Sequence, residues 1–257
     1  MTQEERRKYL ILGLIKENRD YGDIVVPKDD AKQKELLRAL FNVRPPSPIS
    51  DDFLKVQDEY LKEENRKKGI VDWKDIPEIQ KHIRLWRGDI TRLNTNSIVN
   101  AANDALLGCF VPGHACIDNA IHTFAGIQLR NECDAIMKKQ GHPEKTGKAK
   151  ITKAYNLPSR YVIHTVGPII SAKVSNEDRK LLKSSYLSSL KLAEEAGLKS
   201  IAFCCISTGA FFFPQEEAAK IAIGTVKEYL ENAKTDIEVI FDVFGEKDEK
   251  IYRRLLS

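Results

Sequence analysis

The sequence of 257 residues contains few cysteines and no long apolar run, and each shortage excludes a class of protein. Its five cysteines are odd in number, and two of them, Cys204 and Cys205, are adjacent in an apolar run. This pattern excludes a framework of disulfides, so we expect a reducing, cytoplasmic compartment. No stretch approaches the ~18 apolar residues of a membrane span, and the N-terminus lacks the apolar segment of a signal peptide. We therefore expect no interaction with a membrane.

An excess of charge of one sign is also missing. Lysine and arginine number 41 against 37 aspartates and glutamates, which gives a net charge of +4. A nucleic-acid-binding domain usually carries a dense basic stripe, so we expect no nucleic-acid partner. The mild positive charge is compatible with a small anionic ligand. With 42% hydrophobic and 30% charged residues, the chain has the composition of a globular protein with a packed core, but nothing in it indicates the oligomeric state.

The first 75 residues are predicted to form a helical extension. Thr2 and Glu5 have the spacing of a capping box, which begins a first helix. A second helix is predicted over Asp30–Phe41 and a third over Asp51–Lys68, with Gly69 in position to end it. These segments are strongly charged and contain no catalytic constellation. We interpret residues 1–75 as a structural cap on the main domain, with a partner-binding surface as the alternative.

Residues 76–257 alternate between strand and helix patterns. Short apolar runs such as "HIRLWRG", "SIVNAA" and "SIAFCCIS" are separated by amphipathic helical stretches. One continuous helix is predicted across "IDNAIHTFAGIQLRNECDAIMKK", residues 117–139. This alternation predicts a layered α/β fold with a mainly parallel sheet. In such folds, ligands bind outside the carboxyl ends of the strands.

Four stretches fall where strands are expected to end. They are Gly88–Thr91 ("GDIT"), Val99–Asp104 ("VNAAND"), Ser207–Pro214 ("STGAFFFP") and Phe244–Gly245. The small residues of "STGAFFFP", placed before a helix, would allow backbone amides to approach a phosphate, although an ordinary strand-to-helix turn is the alternative. The amides of "VNAAND" would suit sugar hydroxyls, or would simply form an asparagine turn.

The stretch "GCFVPGHACIDNAIH" has the spacing of a metal site. Cys109, His114 and Cys116 follow a C-x4-H-x-C pattern, and thiolate and imidazole are preferred zinc ligands. Three protein ligands leave one tetrahedral position open, as in catalytic zinc sites. A thiol nucleophile with a histidine base and a plain loop before a buried helix are the alternatives. We interpret His164, within an apolar strand, as a core histidine.

In their order along the chain, "GDIT", "VNAAN", "AYNLPSRYVIHTVGP" and "STGAFFFP" resemble the macrodomain family, from about Ile83 to the C-terminus. The resemblance implies a three-layer α/β/α fold with a mixed, mainly parallel sheet that binds ADP-ribose. Most macrodomains carry a glycine-rich run after "NAAN", whereas this chain has the cysteine–histidine stretch. It therefore resembles the zinc-containing bacterial subgroup of protein-ADP-ribose hydrolases, which also carry a helical N-terminal extension. The implied cofactor is Zn²⁺, held by Cys109, His114 and Cys116.

The resemblance also implies roles along the ligand. Asp89 would accept a hydrogen bond from the adenine amino group, with the Ile90 backbone beside it, and Phe244 would stack on the adenine. Backbone donors for the diphosphate would come from Ser207, Thr208, Gly209, Ala210 and Phe211.

At the other end of the ligand, Asn103 would hold the distal ribose, and Ile117 and Asp118 would border the phosphates and this ribose. Asp118 has an alternative role as a charge that favours the N-terminus of its helix. The residues expected to take part in catalysis are Asn103, Cys116 and Asp118.

The function implied is removal of mono-ADP-ribose, O-linked to aspartate or glutamate, from modified proteins. Zinc would polarise the linking oxygen or activate a water. A reader module that binds ADP-ribosylated proteins without cleaving them is one alternative, and a phosphatase acting on ADP-ribose phosphate is another. The family suggests a lipoyl-carrier protein as the modified partner, although no residue indicates it.

Overall fold

A computed structural model describes residues 1–233 and 235–257. Its α-helices are α1 Gln3–Glu17, α2 Asp30–Val43, α3 Asp51–Lys67, α4 Ile117–Ala125, α5 Ile127–Gln140, α6 Asn176–Glu195, α7 Gln215–Ala233 and α8 Glu246–Leu256. Its strands are β1 Val71–Asp72, β2 Glu78–Gln80, β3 Ile83–Arg87, β4 Leu93–Asn94, β5 Ser97–Ala101, β6 Ala149–Lys153, β7 Tyr161–Thr165, β8 Ser200–Phe203 and β9 Glu238–Val243. In this part of the chain, no helix is both long and apolar enough to cross a membrane.

Helices α1 to α3 form the predicted N-terminal extension and have a hydrophobic cluster of their own. The capping box at Thr2 is present, and Asp29 and Ser50 cap α2 and α3 through their side chains. Apart from Ile127, the buried members of the cluster come from these three helices. They are Leu10, Ile11, Leu14, Leu37, Leu40, Phe41, Phe53, Tyr60 and Leu61.

The main sheet has seven strands in the order β2-β3-β9-β8-β5-β7-β6. The five central strands are parallel, while β2 and β6 pair antiparallel at the two edges. The predicted mixed, mainly parallel sheet is therefore confirmed. Because the central strands run in one direction, β3, β5, β7, β8 and β9 all end at the same edge of the sheet. This edge brings together the four strand-end stretches, which are far apart in the sequence.

Helices cover both faces of the sheet and complete the three-layer α/β/α fold. One layer contains α6, α7 and α8, and the other contains α4 and α5. Aromatic pairs from β8 and β9 anchor the first layer, with Phe203 against Tyr186 and Phe241 against Tyr252. The core of this part begins at Ile76 and includes residues of every central strand.

The prediction of one helix over residues 117–139 is wrong, because Gly126 divides it into α4 and α5. Gly126 has φ +97°, and a Cβ there would lie 2.7 Å from Nε2 of Gln57 in α3. Oε1 of Gln57 accepts the amide of Ile127 at 3.0 Å, so the extension satisfies a donor at the start of α5. A glycine in this conformation allows the chain to turn, and α3 occupies the space that it leaves.

Candidate active site at the carboxyl edge of the sheet

The three predicted metal ligands converge after β5. Cys109 and His114 lie in an irregular loop, and Cys116 is the N-cap residue of α4. Their donor atoms all lie within 4.8 Å of one another, and Sγ of Cys109 is 3.6 Å from Nδ1 of His114. Both cysteines are half-buried and His114 is exposed. Two thiols and an imidazole at this separation form a donor set that suits zinc.

The environment of Cys116 disfavours a free thiol nucleophile. Burial raises the pKa of its thiol to about 11, the Asn119 amide opposes this rise through a 3.4 Å contact, and the neighbouring Cys109 raises it further. A thiol nucleophile requires a lowered pKa. A bound cation would instead stabilise the thiolate directly, because metal binding releases the thiol proton.

Two other groups of possible ligands occur in the described residues. His122, Cys133 and His164 meet in the core. There His164 lies 2.9 Å from the Thr152 hydroxyl, and burial lowers its pKa to about 3, as expected for a core histidine. The second group consists of Glu78, His82 and Glu238, near the start of β3 and β9, and Glu238 pairs with both His82 and Arg84.

The amide of Asn103, predicted to hold the distal ribose, lies directly before the metal loop. Its Nδ2 donates to the Gly108 carbonyl at 3.0 Å, and its Oδ1 accepts the Ala105 amide at 3.1 Å. The side chain thus supports the turn that leads to Cys109. It is half-buried, so a ligand at this edge can reach it.

Asp118 lies in the first turn of α4, two residues after Cys116, and its carboxylate is buried beneath the edge. Asn100 of β5 donates to Oδ1 at 2.8 Å, and Nε2 of His122 lies 3.6 Å from the same oxygen. Burial raises the pKa of Asp118 to about 6, whereas the Asn100 hydrogen bond and the Arg130 charge lower it. Its neighbour Ile117 is half-buried at the N-terminal end of the same helix.

The loop after β8 presents free backbone donors. Ser207 has φ +66° and is buried. A Cβ on Gly167 would lie 2.0 Å from its Oγ, so only glycine permits this approach. Among the described residues, the amides of Thr208, Phe212 and Phe213 have backbone acceptors. The amides of Ser207, Gly209, Ala210 and Phe211 have none, and such a row of free donors suits an anion.

The residues predicted to bind adenine lie beside β3 and β9, next to this loop. Asp89 accepts the amide and the hydroxyl of Thr91 through Oδ1, at 3.0 and 2.6 Å. Its Oδ2 lies 3.5 Å from Nζ of Lys68, at the end of α3. Ile90 is buried, while the Phe244 side chain is 83% exposed. An aromatic ring with this exposure is available to stack on a base.

Several contacts that shape this edge were not predicted from the sequence. Asn100 holds Asp118, Asn119 contacts the metal loop, and Lys68 pairs with Asp89. Asn100 is one of the "VNAAND" amides that were expected to suit sugar hydroxyls or to form a turn, but it is fully buried and holds Asp118 instead. Lys68 pairs with Asp89, and Asn119 pairs with Arg38, at positions distant in the sequence, so no local pattern indicates these contacts.

Together, these elements form a three-layer α/β/α domain with helices at its N-terminal end and a cysteine–histidine triad at the carboxyl edge of the sheet. The sequence signature of the Macro domain family matches residues 99–222. A protein-ADP-ribose hydrolase of Treponema medium is 52% identical over 261 residues, with all of both chains covered. One of Staphylococcus aureus is 48% identical over 258 residues, covering 100% of this chain and 97% of that one.

A solved structure is also similar to this chain. The Trypanosoma brucei macrodomain in complex with ADP-ribose matches with a TM-score of 0.68 and 28% identity, covering 90% of this chain and 97% of that one. This chain belongs to the macrodomain family.

Proposed function

We propose that this protein is a zinc-dependent hydrolase that removes mono-ADP-ribose, O-linked to aspartate or glutamate, from modified proteins. The proposal is supported by two relatives that are protein-ADP-ribose hydrolases and that match this chain over all or nearly all of their length. The single observation that carries it is the convergence of two cysteines and a histidine, within 4.8 Å, at the edge that also holds the free loop amides. Three protein ligands would leave one coordination position open, as in catalytic zinc sites, and this favours the hydrolase over a module that only binds ADP-ribose.

The adenosine end would anchor the substrate. Asp89 would accept the adenine amino group, with Ile90 beside it, and Phe244 would cover one face of the base. The free amides of Ser207, Gly209, Ala210 and Phe211 would receive the diphosphate, with Thr208 in the same turn. Binding energy from this end positions the distal ribose for reaction.

The distal ribose would lie at the start of α4. Asn103 would orient its hydroxyls, and Ile117 would border it. Cys109, His114 and Cys116 would hold the zinc ion, which supplies Lewis-acid chemistry when bound. Asn100 fixes the Asp118 carboxylate 2.8 Å away. We propose that Asp118 supports the first turn of α4 from below. Because burial raises its pKa to about 6, it is mainly ionised at neutral pH and accepts a proton only as the pH falls towards 6.

A release assay tests the proposal. The protein is incubated with one target modified on carboxylates and with another modified on arginine, and free ADP-ribose is measured by mass spectrometry. We expect release from the carboxylate-linked target. Binding without release from either target would identify a reader module and refute the hydrolase, and release of inorganic phosphate from ADP-ribose phosphate would indicate the phosphatase.

Three further expectations belong to this proposal. We divide the chain at residues 1–75 and 76–257, supported by the separate hydrophobic clusters of the two parts. The reducing, cytoplasmic compartment stays a prediction. The lipoyl-carrier partner is a hypothesis, tested by supplying a modified carrier protein in the same assay.

A further inference from the structure

The loop that carries the metal ligands has little regular structure of its own. Between Cys109 and Cys116, its internal backbone hydrogen bond in the described residues is that from the His114 amide to the Val111 carbonyl, at 3.2 Å. Gly113 has φ +64°, and His114 is exposed. A loop of this kind does not hold three ligands in place unaided, so other residues must determine its conformation.

Two side chains of α2 in the N-terminal extension reach this loop. Oδ1 of Asn42 accepts the Gly113 amide at 2.9 Å, and Nη2 of Arg38 donates to the His114 carbonyl at 3.0 Å. Asn42 is buried and also donates to the Thr123 hydroxyl of α4 at 2.9 Å. The backbone on both sides of the Gly113–His114 peptide is therefore attached to the extension.

Arg38 also controls the third attachment, through Asn119. Its Nε and Nη2 donate to Oδ1 of Asn119 at 3.2 and 2.8 Å. The side-chain Nδ2 of Asn119 donates to the Val111 carbonyl at 3.0 Å, and the backbone amide of Asn119 donates to Sγ of Cys116. The guanidinium thus fixes the orientation of the Asn119 amide, which could otherwise turn by 180° and lose the contact with Val111.

We propose that Arg38 and Asn42 are positioning residues for the zinc site, and that the helical extension acts by holding the metal loop in its ligating conformation. This inference rests on the proposed function and adds to it a role for the extension. Removal of a residue that orients a metal ligand through hydrogen bonds typically lowers metal affinity or activity by about 10- to 100-fold. Neither residue contacts the reacting atoms.

The test compares Arg38→Met with Arg38→Lys in the full-length protein. Methionine keeps the apolar stem and loses all three hydrogen bonds, while lysine restores a cation that cannot form the same fork. Arg6→Met is the matched control, because Arg6 pairs with Glu59 at 2.8 Å within the extension and lies outside the loop contacts. Asn42→Ala is the second variant, used alongside Arg38→Met in case that protein does not fold.

Zinc affinity is measured first, by competition with a chromophoric chelator and without substrate. We expect Arg38→Met and Asn42→Ala to bind zinc about 10- to 100-fold more weakly, Arg38→Lys to fall between, and Arg6→Met to match the wild type. Turnover at saturating zinc should then show a reduced kcat with unchanged affinity for free ADP-ribose. Unchanged zinc affinity in both loop variants, or an equal loss in Arg6→Met, would overturn the inference. Failure of the wild type to release ADP-ribose would overturn only the proposed function, because the zinc measurement does not depend on it.

Discussion

The exposed ring of Phe244 allows the adenine end of the site to be tested without disturbing the fold. The side chain is 83% exposed and directly follows β9, so its removal creates no cavity in the core. Stacking of a base on an aromatic ring contributes about 1–3 kcal/mol. Since each ~1.4 kcal/mol is a factor of ten in Kd, Phe244→Ala should weaken ADP-ribose binding by about 5- to 150-fold.

Calorimetric titration with two ligands makes this prediction specific. ADP-ribose carries the adenine, whereas a diphosphoribose without the base does not, and only the first should lose affinity in Phe244→Ala. Phe244→Tyr, which keeps an aromatic face, should bind both ligands as the wild type does, and the melting temperatures of all three proteins should agree. An equal loss for both ligands, or no loss for ADP-ribose, would refute the stacking role.

Three further predictions concern the rest of the site. Removal of metal with a chelator should abolish ADP-ribose release, and added zinc should restore it, whereas full turnover by protein shown to be metal-free by elemental analysis would exclude zinc from the mechanism. Asn103→Ala and Cys116→Ala should each lower kcat more than they weaken ADP-ribose binding, measured by single-turnover kinetics and titration, and the opposite ratio would limit these residues to binding. Burial lowers the pKa of Lys68 from 10.5 to about 8. Below pH 8 the lysine is charged in the folded protein, and its burial lowers the free energy of unfolding. This destabilisation disappears as the pH rises from about 8 towards 10.5, because only the unfolded protein then keeps the proton. The difference in unfolding free energy between Lys68→Met and the wild type should therefore shrink over this range in denaturant titrations, and parallel curves would contradict the lowered pKa.

Local patterns in the sequence predicted much of this architecture. The capping box at Thr2, the alternation of strands and helices and the C-x4-H-x-C spacing each depend on residues close together in the chain. Their physical causes are equally local. The capping box satisfies an unpaired backbone amide at the start of a helix, the alternation reflects the spacing of apolar side chains, and the ligand spacing reflects how far a short loop extends. The break at Gly126 was missed because glycine is tolerated within helices, and only the approach of Gln57 from α3 shows why the chain turns there.

By itself, the sequence determined that the cysteine–histidine triad and the loop after β8 lie at one edge of a mainly parallel sheet, because parallel strands place their carboxyl ends together. Only the tertiary structure decided what surrounds that edge. Arg38 meets the metal loop across more than seventy residues, and Lys68 meets Asp89 across the junction of the two parts. Such contacts depend on how α2 and α3 pack against the rest of the fold, and the packing of helices distant in the sequence produces no local period or spacing from which it could be predicted.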